Sequence, residues 1–407
     1  MTSPSATQPW LSLIGIGEDG FDALSPAARA LLAQAHFVIG GARHLKLAGK
    51  LDAQTLQWPS PLSTALPAIL AHRGSPVCVL ASGDPFFYGI GALLSAHFAA
   101  EEMQCLPAPS AFSLAAARLR WSLQDCRLMS LHGRDFERII PALQPAGKLL
   151  CLSWDETTPP RLAELLRARG LGQSEIVVME ALGGPRERVR ASTAQAFDMN
   201  EIDPLNLVAL DIKVAAHSRI IPTGGALADG FFETDGQLTK QPVRAIALSA
   251  LALRSGELLW DVGAGSGSIA IEWLLRDPAN RAIAIEARPD RAERILRNAK
   301  TLGVPQIEIV TGKAPAAFAN LPQPQAIFVG GGASERSILD AAFAALPIGG
   351  RLVVNAVTLE TEAELIARFK AQGGELVKID ISRATPIGGF LGWRPAMPIT
   401  QWSVAKQ

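Results

Sequence analysis

The stretch Leu258-Leu-Trp-Asp-Val-Gly-Ala-Gly-Ser-Gly-Ser268 constrains this chain more than any other. Leu258 to Val262 is a short apolar run of the kind that forms a buried parallel strand. Gly263, Gly265 and Gly267 then permit a tight turn, and an apolar-periodic helix runs from Ser268 to Leu275. A strand, a glycine turn and a helix N-terminus make a place for a small polar ligand at the carboxyl end of a sheet. The dinucleotide fingerprint G-x-G-x-x-G needs glycine at 268, where this chain has Ser268. The pattern is D-x-G-x-G-x-G instead, which counts against a dehydrogenase.

The residues that follow narrow the ligand. Arg281-Ala-Ile-Ala-Ile-Glu286 predicts a second strand ending in an acid, about 20 residues past the glycines, where an acid meets ribose hydroxyls. A third strand, Ile307 to Val310, leads into Gly312-Lys-Ala314. An isolated glycine turn can be a plain strand-to-helix connection, but an acid and a glycine at successive strand ends point to a nucleoside-containing cofactor. The D-x-G-x-G-x-G run resembles the first motif of Rossmann-like S-adenosylmethionine (SAM) methyltransferases. The resemblance implies cofactor contacts from Asp261, Gly263, Ala264, Gly265, Ser266 and Gly267.

A length of 407 residues predicts about two domains. Lys plus Arg and Asp plus Glu both total 38, and no basic run interleaves with aromatics, so a nucleic-acid substrate is disfavoured. Cys78, Cys105, Cys126 and Cys151 are widely spaced, without a C-x-x-C pair. They read as buried thiols in a reducing compartment, with no metal site and no disulfide frame. MTSPSATQPW carries no signal pattern, and no apolar run approaches about 18 residues, so no membrane span is expected and a cytoplasmic location is. All six histidines, all four cysteines and the sole tyrosine, Tyr88, lie at or before His217. The C-terminal half therefore lacks the usual general bases and nucleophiles and has to rely on a reactive substrate and positioning.

From the N-terminus, Trp10-Leu-Ser-Leu-Ile-Gly-Ile-Gly-Glu-Asp-Gly20 predicts a strand and glycine loop, with a second strand and turn over Phe37–Gly41 and a third strand at Pro76–Leu80. Ala81-Ser-Gly-Asp-Pro-Phe-Phe-Tyr-Gly-Ile90 is a turn-rich exit from the third. Cys105 to Ala111 reads as a strand end and proline loop, Leu128 to Asp135 as a strand with a polar exit, and Lys148–Leu152, Ile176–Glu180 and Leu207–Ile212 as strands. Thr158–Arg169 reads as a proline-initiated helix.

The segments L-I-G-I-G-E-D-G, A-S-G-D-P-F-F-Y-G-I, P-A-P-S-A and E-A-L-G-G-P-R-E-R together resemble the tetrapyrrole methylase family over about residues 10 to 212. That resemblance implies a two-subdomain α/β fold with SAM folded in the cleft between the subdomains. It places cofactor contacts at Gly17 and Glu18, at Ser82, Gly83, Asp84 and Phe87, and at Ser110 and Ala111. S-L-H-G-R points within the family to methylation of ring carbon C5. Glu18 departs from the pattern, since many relatives carry proline there.

Downstream, D-G-Q-L-T-K-Q-P-V-R, I-E-A-R-P-D-R, I-F-V-G-G-G, N-A-V-T-L-E and W-R-P-A-M-P-I-T-Q-W resemble decarboxylating methyltransferases that act at C15 of corrin precursors, over about residues 231 to 403. By that resemblance Thr239 caps the cofactor, Glu286 holds the ribose, Ala314 borders the adenine, and Gly330 and Gly331 approach the methyl group. The organisation expected is a tetrapyrrole methylase domain over 1–213, a linker over 214–230, and a Rossmann-like SAM methyltransferase domain over 231–407. One SAM per domain, a tetrapyrrole substrate on the route to cobalamin, metal-free or cobalt-containing, and a homo-oligomer are implied. Arg383 and Arg394 are candidate clamps for ring carboxylates. Trp58, Trp121, Trp154 and Trp273 read as core, and Arg288, Arg291, Arg294 and Arg297 as a solvated face. His132 is open between a core hydrogen-bonder and a cleft residue.

Overall fold

Apolar runs become sheet centres in both halves of the chain. The computed structural model describes residues 9–407, and the segment 1–8, most of the stretch read above for a signal pattern, lies outside the described residues. The chain divides into two units: one reaches Arg134 and resumes over Gln144–Arg219, and the other takes Asp135–Leu143 and Ile220–Gln407. The stretch read as a linker, 214–230, is shared between them. Ser218 Oγ donates to Gly170 O in the first unit, whereas Leu227 is buried in the second, its N–H donating to Glu272.

The first unit holds two five-stranded sheets. β1 (Leu11–Ile16), β2 (Phe37–Gly40), β3 (Gln54–Gln57), β4 (Val77–Ser82) and β5 (Met103–Leu106) are parallel, in the order β3-β2-β4-β1-β5. Alternate residues feed separate cores on its two faces: Leu11, Leu13, Val77 and Val79 on one, Ile14, Ile16, Cys78 and Leu80 on the other. Burial on both faces explains why these strands are continuous apolar runs. The second sheet is mixed: β6 (Cys126–Ser130), β7 (Lys148–Leu152), β8 (Glu175–Glu180), β9 (Arg188–Thr193) and β10 (Asn206–Asp211), in the order β6-β7-β10-β8-β9. Two sheets in one unit fit the two-subdomain α/β expectation. β3 and β9 were not legible in the sequence because both are polar edge strands.

The second unit carries β11 (Leu258–Val262), β12 (Arg281–Glu286), β13 (Glu308–Thr311), β14 (Ala326–Val329), β15 (Arg351–Ala356), β16 (Glu375–Ile379) and β19 (Ile399–Ala405) in one sheet, ordered β13-β12-β11-β14-β15-β19-β16. The first five are parallel, and β19 runs antiparallel between β15 and β16. This is a Rossmann-like doubly wound arrangement whose strand order reverses between β11 and β14. β17 (Ser382–Ile387) and β18 (Phe390–Pro395) form a separate two-stranded ribbon that the sequence reading did not foresee.

Trp273 is fully buried, and Trp58 and Trp121 pack against cores as expected. Trp154 does not: it is 54% exposed and lies against His132, ring centroids 5.6 Å apart. Cys78 and Cys151 are buried thiols, pushed up to about 12 by desolvation, while Cys105 and Cys126 are only partly buried. No helix among the described residues is long and apolar enough to cross a membrane, and no group of three or more His, Cys, Asp or Glu there could hold a metal ion.

Candidate functional site

In the first unit, β4, β1 and β5 are neighbours, and the loops leaving their carboxyl ends converge on a cavity of about 660 Å³. That is a common size for small-molecule sites. All eight residues singled out in this half line it: Gly17 and Glu18 after β1, Ser82, Gly83, Asp84 and Phe87 at and after the end of β4, and Ser110 and Ala111 after β5. Backbone contacts fix the loops. Gly83 has φ +54°, its carbonyl accepts from Ala108 N at 3.0 Å, and a Cβ there would come within 3.0 Å of Pro109 O. Ser110 caps the helix Ala111–Leu119, its Oγ accepting from Ser113 N at 3.2 Å. Asp84 Oδ1 accepts from Phe86 N at 2.9 Å, and the Phe87 ring packs on Phe112 at 5.0 Å.

Glu18, the departure from the relatives' proline, forms an ion pair with Arg43 and lies 3.7 Å from Arg186. His132 lines the cavity with Arg134, which resolves its reading toward the cleft, and Arg134 sits over the Tyr88 ring at 5.0 Å. Among the lining residues that escaped the sequence reading are Arg43 and His44, at the start of the helix Ala42–Leu47 after β2. The available signal was the G-G-A-R-H run at that strand's exit.

In the second unit the glycine turn, Glu286, Gly312–Ala314 and Gly330–Gly332 leave the carboxyl ends of β11, β12, β13 and β14, four adjacent strands. Gly263, Gly265 and Gly267 have φ of +71°, +61° and +75°. A Cβ on Gly263 would meet Gly331 backbone at 2.8 Å, so the two glycine loops face each other where the strand order reverses. Ala264 N donates to Ile285 O at 3.2 Å, holding the turn to β12. Glu286 accepts from Gly265 N at 2.8 Å and from Arg288 N at 3.0 Å. Each carboxylate oxygen keeps a second lone pair for a ligand hydroxyl. Ser266 Oγ is buried without a hydrogen-bond partner, and Ala314 packs at the margin of the core.

Asp261 plays a different part from the expected contact. It is 1% exposed, and Oδ2 accepts from Ala270 N at 3.1 Å, bracing the helix Ser268–Arg276 from behind the turn. Burial, reinforced by the Glu286 charge, raises its carboxyl to about 7.

A loop over 233–239 is strapped to this turn. The buried Asn298 donates to Ser266 O at 2.9 Å and to Glu233 O at 3.0 Å, and accepts from Glu233 N at 2.8 Å. Nothing in the sequence marked it beyond a polar residue on a helix's apolar face. The Thr239 carbonyl accepts from Arg244, whose guanidinium is fully buried and donates to Glu272 at 2.6 Å. Arg291 and Arg294 pair with Asp235 at 2.9 and 3.2 Å, and their side chains are 16% and 13% exposed. Only Arg288 and Arg297 keep the solvated character expected of all four.

Arg383 and Arg394 stand directly opposite each other on the β17–β18 ribbon, both exposed. The register places the ribbon. Thr400 pairs with Ala356 at the carboxyl end of β15, and Ile379 ends β16 opposite Ile399, so the ribbon leaves the sheet at the same edge as the glycine loops.

Comparison with known proteins gives the family. The family described as tetrapyrrole (corrin/porphyrin) methylases matches residues 11–198, and a precorrin methyltransferase domain matches residues 230–406. A Sinorhizobium sp relative named precorrin-6Y C(5,15)-methyltransferase (decarboxylating) is 52% identical over 406 residues, covering 100% of this chain and 98% of its own. The chain belongs to the precorrin-6Y C5,15-methyltransferase (decarboxylating) family. Two shorter Salmonella typhimurium relatives of the family resemble parts of it. One, named cobalt-precorrin-7 C(5)-methyltransferase, is 32% identical over 47% of this chain and 96% of its own. The other, named cobalt-precorrin-6B C(15)-methyltransferase (decarboxylating), is 33% identical over 40% of this chain and 85% of its own.

Proposed function

We propose that the chain methylates precorrin-6Y at C5 in its first unit and at C15 in its second, removing the C12 acetate carboxyl as carbon dioxide to give precorrin-8. Each unit binds its own SAM. The observation that supports this reading is the presence of two separate loop clusters, each at the carboxyl ends of adjacent parallel strands and each carrying the residues expected to contact such a cofactor. The residues fit such a ligand: the first cavity has the volume, and the second site has a turn whose glycines leave backbone accessible, a carboxylate with free lone pairs and an unpartnered serine hydroxyl.

When bound, SAM supplies an electrophilic methyl group. The chain's residues have to hold the nucleophile in line and exclude water, which suits a second unit without His, Cys or Tyr. The meso carbons of a reduced tetrapyrrole are enamine-like, and alignment alone can contribute several kcal/mol of rate enhancement. Decarboxylation needs an electron sink, which the conjugated ring provides. Arg383 and Arg394 would hold other ring carboxylates, and their opposed placement supports this, since two like charges across a ribbon gain when an anion joins them.

Mass spectrometry of precorrin-6Y incubated with SAM and the purified chain tests the proposal. Two methyl groups gained and one carbon dioxide lost is the expected result. SAM turnover that does not depend on a corrinoid would reject it in favour of another small-molecule substrate.

A further inference from the structure

One wall of the first unit's cavity holds a hydrogen-bond triangle whose members come from two elements, the helix Ala42–Leu47 and the end of β4. Ser82, at the end of β4, is exposed to the cavity. Arg43 Nη2 donates to Ser82 Oγ at 2.6 Å and lies 3.0 Å from His44 Nε2, which in turn is 2.8 Å from Ser82 Oγ. Arg43 Nη1 is held by Glu18, so the guanidinium is fixed in place.

The donor and acceptor inventory orients every hydrogen in this triangle. A guanidinium only donates. His44 Nε2, facing the cation, is therefore bare, and the ring hydrogen sits on Nδ1, which is buried without a partner. A serine hydroxyl has one hydrogen and two lone pairs. Nη2 lies closer to Ser82 Oγ (2.6 Å) than to Nε2 (3.0 Å) and fills one serine lone pair, so the single lone pair of Nε2, 2.8 Å from Oγ, is left to accept the hydroxyl hydrogen. One lone pair remains for the cavity, and nothing remains to donate.

A serine–histidine pair could instead pass on a proton. The surroundings argue against that here. Desolvation first and the Arg43 charge second push His44 down to about 4, so the ring stays neutral at physiological pH and cannot store a proton beside the guanidinium.

We infer that Arg43 and His44 lock Ser82 as a one-way hydrogen-bond acceptor, so that this point of the cavity selects a ligand group presenting an N–H or O–H. Two sources offer such a group. One is the cofactor, through its hydroxyls or ammonium. The other is the pyrrole N–H of a metal-free macrocycle, which a metal-filled ring lacks. The identity of the ligand rests on the function proposed above, whereas the lock itself does not.

Two measurements on the full chain separate these levels. The first is nitrogen-15 NMR of histidine-labelled protein, with His44 assigned through His44→Gln. The lock requires hydrogen on Nδ1, a bare Nε2 and no titration between about pH 5 and 8, the range in which an ordinary histidine switches. A ring protonated on Nε2, or one titrating in that range, overturns it. The second is the kinetics of C5 methylation. Ser82→Ala should raise KM about five- to tenfold, the worth of one hydrogen bond. The rise falls on SAM if the cofactor is the donor and on the tetrapyrrole if the macrocycle is. His44→Leu should match that loss, and His44→Gln, whose amide oxygen accepts from both neighbours, should restore it. Unchanged KM for both ligands in Ser82→Ala overturns the selection. If wild-type protein gives no C5 methylation, the proposed function has failed, and the spectrum still decides the lock.

Discussion

Replacing Asp261 by Asn isolates the cost of keeping a carboxyl behind the glycine turn. Asp261 is 1% exposed, makes one hydrogen bond, to Ala270 N, and feels the Glu286 charge, so its carboxyl rises from 3.8 to about 7. A raised folded-state value means the folded chain holds the proton more tightly than the unfolded chain. The associated stability is complete below about pH 4 and is lost as pH climbs through about 7. A shift of about three units, at about 1.36 kcal/mol each, is worth about 4 kcal/mol. Integrating the linkage, about 3 kcal/mol of this disappears between pH 5 and pH 8. Asparagine keeps an oxygen for Ala270 N and does not titrate, so Asp261→Asn should lack that slope and gain on wild type as pH rises. Hydrogen exchange of the β11 and β12 amides in the full chain, corrected for intrinsic rates at pH 5 and 8, reads the difference within the second unit. The reasoning fails if the gap between wild type and variant changes by less than about 1 kcal/mol over that range.

Four further outcomes are expected. Glu286→Ala removes the acceptor for Gly265 N and Arg288 N, so C15 methylation should be lost while C5 methylation continues; loss of both would mean that the units are not independent. Gly267→Ala puts a Cβ 2.7 Å from Ile295 Cγ2 at φ +75° and should cost about 1–3 kcal/mol in chemical unfolding, with an unchanged midpoint counting against the strain. Glu272→Ala removes the nearer of two carboxylates paired with the fully buried Arg244, leaving Asp229 at 3.3 Å, and should destabilise by about 3 kcal/mol, more than Glu272→Gln, which keeps an acceptor. Arg394→Ala should raise KM for the tetrapyrrole and leave SAM affinity alone, and equal losses in both would reject the clamp.

What the sequence determined by itself was local. The ranges of β7, β11 and β12 coincide with those read from apolar runs, because strands buried on both faces need continuous apolar residues; β11 runs into glycine and β12 ends on an acid. The loop residues of both sites were legible for the same reason: a strand exit that must turn tightly and expose backbone leaves glycine, proline and small polar residues in a fixed order. Tertiary structure decided everything that depends on residues distant in sequence. Strand β10, the last strand of its half along the chain, lies in the middle of its sheet, since register across neighbouring strands leaves no trace in one strand's own pattern. The β17–β18 ribbon has apolar residues exposed on both faces, so no periodicity marked it, and its placement at the ligand edge follows only from the antiparallel register of β19. Glu18, Arg43 and Ser82 are individually ordinary, as are Arg244 with Glu272 and Asn298. Their parts come from partners that the fold carries to them, because a side chain's protonation state and free lone pairs depend on what surrounds it in space, not on its neighbours along the chain.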